Sequence, residues 1–241
     1  MIKFFRKIRQ RLLTENNFSK YLLYAVGEIV LVVIGILIAL QINNWNQEWE
    51  THKFENELLI ELRQTIIYDY SLIDRILEGN QTSKFSGQTI LTHFDNKRPY
   101  HDSLNQHFWK ANWWWQMNLR HTAFGNAKSY GLHFIKSDSL RSLLTRVYEN
   151  DSEFMDDKDG RLALYHYNVV EPHIINLFES TSMHSEMTPL DYDMLQNDQK
   201  YRTILNTNIG NRNWFESYVV NIILPNLQEL DQKLLEELNN R

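Results

Sequence analysis

Residues 21–42 read YLLYAVGEIVLVVIGILIALQI, and this stretch decides the fold. It holds a single acidic or basic side chain, Glu28, in 22 residues. A helix of this length spans about 33 Å, which matches the hydrocarbon core of a bilayer. Globular helices that are apolar on all sides are rarely so long, and no small-x-small cleavage site follows Ala39. We therefore expect residues 21–42 to form an uncleaved transmembrane helix, a signal anchor.

The charges on either side of this segment predict its orientation. Residues 1–20 carry six Lys or Arg and one acid, whereas residues 43–62 carry one Lys and five Glu. Basic residues that flank a span tend to stay in the cytoplasm. We expect residues 1–20 to be a cytoplasmic basic amphipathic segment and residues 43–241 to be an extracytoplasmic domain.

Aromatic side chains at both ends of the segment, and basic side chains before it, are typical of the membrane–water interface. The aromatic anchors are Tyr21 and Tyr24 on the cytoplasmic side, and Trp45 and Trp49 on the other. The basic anchors are Lys3, Arg6, Lys7 and Arg9, which surround an apolar helical stripe. This N-terminal segment is expected either to lie on the anionic inner leaflet or to act as a basic tail that only sets the topology.

The N-terminal sequence also resembles a known family. Gly27-Glu28-Ile29 followed by VVIGILIALQINNWN at residues 32–46 is similar to the opening of short single-span membrane proteins of Gram-negative bacteria. That family is described only as a domain of unknown function, and a weaker similarity covers residues 129–149. The resemblance implies a single-pass protein of the bacterial inner membrane with a periplasmic domain. It implies no catalytic residues.

Residues 43–241 show helical periodicity throughout. Apolar residues recur at steps of three and four at Leu59, Leu62, Ile66, Tyr70, Ile73 and Leu77, and again at Leu227, Leu230, Leu234 and Leu238. We expect the first helix to end at Gly79-Asn80, another to begin at Ser137 or Asp138, and Pro172 to kink or break a third. The predicted fold is all-α: a transmembrane helix that continues into an antiparallel helical bundle.

Glu28 is the most informative residue of the span, because a carboxylate inside the bilayer costs several kcal/mol. It shares a helix face with Ala25, Val32, Gly35 and Ala39. Gly35 and Ala39 form a small-xxx-small pair that permits close helix approach. Glu28 is therefore expected to hydrogen-bond across a helix–helix interface. Solvation from the inner interface and a role in proton or ion coupling stay open.

A cluster of tryptophans offers a second surface. Trp109 and Trp113 are spaced for packing on one helix face, whereas Trp113, Trp114 and Trp115 cannot all face one core. At least one of these three indoles is expected at an interface, with a partner, with the bilayer or with a stacked ligand.

The composition excludes several kinds of chemistry. The chain has no Cys, so disulfides and thiolate sites are absent, and its net charge of −5 does not fit a nucleic-acid binder. Its nine His form no metal-ligand pattern, and no P-loop, GxGxxG or GxSxG motif occurs. We expect no enzyme activity, no cofactor and no metal.

The sequence therefore favours a membrane-anchored helical interaction or scaffold module. We expect it to associate with itself or with other membrane proteins. Two alternatives remain: a proton- or ion-coupled single-span subunit that uses Glu28, and an extracytoplasmic ligand sensor.

Overall fold

The structure is a computed structural model that describes residues 18–113, 116–179 and 186–240. In this part of the chain the fold is all-α, as predicted, and β-structure is limited to one bridge between Phe178 and Pro189. The helices in chain order are α1 (Phe18–Asp95), α2 (Leu104–Asn112), α3 (Thr122–Tyr130), α4 (Asp138–Thr145), α5 (Ser152–Tyr165), α6 (Glu171–Ile174), α7 (Tyr192–Asn197), α8 (Gln199–Tyr218) and α9 (Leu224–Asn239).

The chain divides into two compact units, residues 1–57 and 58–241. The described part of the first unit is helical and contains the apolar segment. The most apolar 18-residue window of α1 has a mean hydropathy of 2.6, and none of that window is buried. By length and composition, α1 is compatible with a single-pass membrane anchor.

The predicted end of the first helix at Gly79-Asn80 is wrong, because α1 continues to Asp95. The reason is that polar residues take inward positions in the second unit. Most buried residues of α1 recur in steps of three and four, as in a heptad repeat. They are Leu59, Leu62, Ile66, Asp69, Ile73, Ile76, Asn80, Ser83, Gly87, Ile90 and Phe94, and Leu58 and Ser86 are buried beside them. The apolar spacing seen in the sequence ends at Leu77, whereas the buried face of α1 continues through polar residues to Phe94.

Two apolar cores stabilise the second unit. The first packs the 58–77 part of α1 against α4 and α9, through residues that include Leu62, Leu144 and Leu230. The second packs the 90–94 part of α1 against α2 and α8, through residues that include Phe94, Phe108 and Tyr201. The two leucine stripes recognised in the sequence thus share the first core.

Capping residues and π-helical turns shape the remaining helices. Ser137 accepts a hydrogen bond from the backbone N–H of Leu140 at 3.2 Å, so of the two predicted candidates, Ser137 and Asp138, Ser137 caps α4. Asp198 caps α8 in the same way through Tyr201, at 2.8 Å. Ahead of Pro172 the helix widens into a π-helical turn at His166–Val170 and ends at Ile174, which agrees with the predicted disruption.

Candidate functional site

The predicted interface residues of the span lie on α1. Ala25 and Glu28 are partly exposed, and Val32, Gly35 and Ala39 are exposed. A Cβ added at Gly35 would have no atom within 4 Å, so this position leaves room for a second helix to approach.

The predicted interfacial anchors are described only in part. Trp45 and Trp49 are exposed, at 61% and 64%, and Lys53 lies over the Trp49 ring at 5.8 Å. The side chains of Tyr21 and Tyr24 lie outside the described residues. The basic anchors Lys3, Arg6, Lys7 and Arg9 lie outside them as well.

The tryptophan surface is described at one of its three predicted members. Trp113 follows the end of α2, is half-buried, and packs on Trp109 with ring centroids 5.1 Å apart. Trp114 and Trp115 lie outside the described residues.

Trp109 and Trp113 line a groove of about 520 Å³ in the second unit, which we call the tryptophan groove. Most of its exposed lining is apolar, and charged side chains stand among the lining residues. The lining is Leu72, Arg75, Ile76, Glu78, Gly79, Thr82, Ser83, Trp109, Lys110, Trp113 and Gln116. A groove with two indoles in contact, their rings tilted by 38°, and with flanking charges suits a ligand that has both apolar faces and polar groups.

A second site, which the sequence did not predict, lies where the two apolar cores leave a polar layer. We call it the polar cavity; its volume is about 30 Å³ and it is partly open to solvent. Its lining is mainly polar: Asn80, Asn112, Asp159, Leu162, Tyr165, His166, Asn208, Asn211, Arg212 and Phe215. Four of its polar residues are almost completely buried, namely Asn80, Asn112, Asp159 and Arg212.

Neighbouring backbone groups hold the charged residues of the polar cavity. Asp159 accepts a hydrogen bond through Oδ2 from the backbone N–H of Met117 at 2.8 Å. Arg212 donates through Nη2 to the backbone carbonyl of Trp113, and through Nη1 to that of Asn208 at 3.5 Å. The C-terminal end of α2 therefore lies between the polar cavity and the tryptophan groove.

Burial changes the acidity of the residues in the polar cavity. It raises the pKa of Asp159 to about 6 and lowers that of Arg212 to about 10, so both are charged at neutral pH. Burial also lowers the pKa of His166, an effect that Glu171 opposes and Arg212 reinforces. The cavity thus combines a cation, an anion, a weakly basic imidazole and several amides.

Metal binding has no support in the part of the chain that the structure describes. In these residues no group of three or more His, Asp or Glu is arranged to hold a metal ion. His173 contacts Asp198 at 3.1 Å, but that carboxylate also caps α8, which gives the pair a structural role.

Comparison with known proteins gives one match. A model of DUF6090, a family of unknown function, matches residues 28–155, just over half of the 241 residues. The similarity to a family of unknown function that the N-terminal sequence indicated is thereby confirmed. No curated protein and no solved structure matches. Asn80, Asn112 and Trp113 fall inside the matched range, whereas Asp159 and Arg212 follow it.

Proposed function

The chain belongs to DUF6090, a family of unknown function, and we propose on this premise that it is a membrane-anchored helical interaction module. Residues 21–42 span the inner membrane of a bacterium once, with the N-terminus in the cytoplasm. The helical domain lies in the periplasm, and the module associates with itself or with other membrane proteins.

The observation that carries this proposal is the exposure of the apolar segment. Leu23, Ile29 and Leu31 are 77%, 63% and 64% exposed, although each is large and apolar. Exposed apolar surface costs about 25 cal/mol per Å² in water, so a helix with such side chains on every face needs an apolar surrounding. The bilayer fits, because the segment has the length of its hydrocarbon core and opposite charge at its two ends.

Fractionation of native cells tests the anchor and its orientation together. We expect the full chain to stay in the membrane pellet after carbonate washing. We also expect external protease to remove the C-terminal domain in spheroplasts while a cytoplasmic marker survives. Recovery of the chain in the supernatant, or a domain that protease leaves untouched in spheroplasts, would contradict the proposal.

Self-association is proposed to run through the face that carries Glu28, Gly35 and Ala39. Gly35 and Ala39 bring two backbones close together, and Glu28 lies on the same helix face, within reach of the second helix. Association between identical spans also gives each domain a neighbouring copy in the periplasm. Crosslinking in native membranes is expected to trap a dimer or a larger oligomer.

The tryptophan groove favours a second candidate role, a ligand sensor outside the membrane. Its two adjacent indoles suit sugars or short peptides, whose faces pack on aromatic rings. Titration of the full chain with soluble oligosaccharides and peptides is expected to quench tryptophan fluorescence. Trp113→Ala should remove the quenching, whereas Trp214→Ala, outside the groove, should retain it. Equal quenching in both variants would exclude the groove as the binding site.

A further inference from the structure

The polar cavity holds two buried charges that the described part of the chain does not neutralise. Arg212 is 7% exposed and Asp159 is 3% exposed. Burial alone shifts the pKa of Arg212, and the one charged side chain that affects Asp159 is Asp156, which carries the same sign. A buried charge without an opposite partner costs several kcal/mol, so this arrangement is expensive.

Three buried polar atoms of the lining also lack a hydrogen-bond partner among the described residues. They are Oδ1 of Asp159, Oδ1 of Asn112 and Nε of Arg212. Each unsatisfied group costs about 1–3 kcal/mol, and more when it is charged. The other polar atoms of these residues are fixed, since Asn112 donates to the carbonyl of Phe108 at 2.8 Å and to the Tyr201 hydroxyl at 3.0 Å. The site is therefore preorganised, with two free acceptors and one free cationic donor.

We propose that the polar cavity binds a small zwitterion of the amino-acid class, with its carboxylate on Arg212 and its ammonium group on Asp159 and Asn112. A simple anion leaves Asp159 without a partner, and a simple cation leaves Arg212 without one. A molecule that carries both charges satisfies both residues. The polar cavity lies within the second unit, so binding there does not depend on membrane anchoring.

The size of the cavity limits which part of the ligand enters. A volume of about 30 Å³ equals room for two or three waters, at about 10–15 Å³ for each. The carboxylate and ammonium groups together need more room than this, so they occupy the cavity and its opening, and any side chain of the ligand points toward solvent. The competing occupant is a small cluster of waters that bridges the same atoms.

A ligand series on the full chain in detergent separates these occupants. Calorimetric titration with glycine and L-alanine is expected to show one site, and both should raise the unfolding temperature of the domain. Acetate carries only the negative charge and methylammonium only the positive one, so each should bind at least tenfold more weakly than glycine. If acetate binds as tightly as glycine, the cavity is an anion site; if no zwitterion binds at millimolar concentration, it holds water. Either result would overturn the proposal.

Substitutions then locate the binding. Asp159→Asn keeps the shape and removes the charge, and Arg212→Gln removes the cation; each should lower the affinity for glycine about tenfold or more. Asp69→Asn is the matched control, because Asp69 is also fully buried with an unpartnered oxygen but does not line the cavity. It should leave the affinity unchanged, and an equal loss in this control would refute the assignment. If Arg212→Gln fails to fold by circular dichroism, the ligand series on the natural chain decides.

Discussion

Asp69 is completely buried on α1 and shows how a single residue couples stability to pH. One oxygen accepts the backbone N–H of Arg120 at 3.2 Å, and the other has no partner among the described residues. Burial raises the pKa of its carboxyl from 3.8 to about 6, against smaller opposing effects of Arg120. The folded state thus keeps the proton to a higher pH than the unfolded chain does.

This pKa sets the sign of a pH dependence. Stability from Asp69 is greatest below pH 3.8 and is lost as the pH rises through about 6. We expect Asp69→Asn to reduce the fall in unfolding free energy between pH 4 and pH 7 by about 2–3 kcal/mol. Urea denaturation at pH 4 and at pH 7 measures the two unfolding free energies. Asp74→Asn, at an exposed position of α1, should show the same fall in unfolding free energy with pH as the natural chain. If Asp69→Asn also shows that unchanged fall, Asp69 is not the source of the pH dependence.

At the scale of elements, α1 approaches α8 closely at Gly87. A Cβ there would lie 3.2 Å from side-chain atoms of Ile209, which is tighter than an ordinary contact. The heptad spacing brings Gly87 to the buried face, where a small residue lets the two helices pack. The absence of a side chain at this point is therefore part of the packing.

A larger residue at Gly87 should destabilise the domain. We expect Gly87→Leu to lower the unfolding free energy by about 1–3 kcal/mol through overpacking. The control is Gly210→Leu, since Gly210 is exposed on α8 with nothing within 4 Å. It should be neutral or raise stability by up to about 1 kcal/mol, as leucine favours a helix over glycine. Equal effects in urea denaturation would show that Gly87 is not a packing contact.

The apolar segment of α1 offers a matched pair of glycines to test the proposed association. Gly35 lies on the face of Glu28 and Gly27 does not, while both have open space around them. Gly35→Ile should abolish or strongly reduce crosslinked oligomers in native membranes, because a branched side chain keeps the backbones apart. Gly27→Ile should crosslink as the natural chain does. If neither variant loses the crosslinked oligomers, the interface between copies lies elsewhere.

At the scale of the whole molecule, the second unit contains both apolar cores. Every buried apolar residue of α1 lies at or after Leu58, within the residues whose burial is described. A chain of residues 50–241 is therefore expected to be soluble, helical and cooperative in thermal unfolding. Sedimentation and circular dichroism check this, and an aggregated or unfolded product would show that the domain depends on the N-terminal segment.

The sequence accounts for part of the fold and of the candidate sites. Leucine stripes with helical spacing predicted helices of the first core, and Ser137 or Asp138 was expected to begin α4 because both precede an apolar helical run. The end of α1 was misplaced at Gly79-Asn80, since polar residues in a buried stripe resemble a turn. Trp113 was expected at an interface, but most of the other residues that line the tryptophan groove lie on α1, 30 to 41 positions earlier in the chain.

By itself the sequence determined the apolar segment, its flanking charges, the all-α class and the family resemblance, since these depend on composition and on residues close along the chain. Only the tertiary structure decided that Asn80 and Asn112 face Asp159 and Arg212 across one cavity. These four residues lie on four different helices and follow no common spacing. Their meeting depends on how two separate cores pack along α1, and local sequence patterns carry no information about that packing.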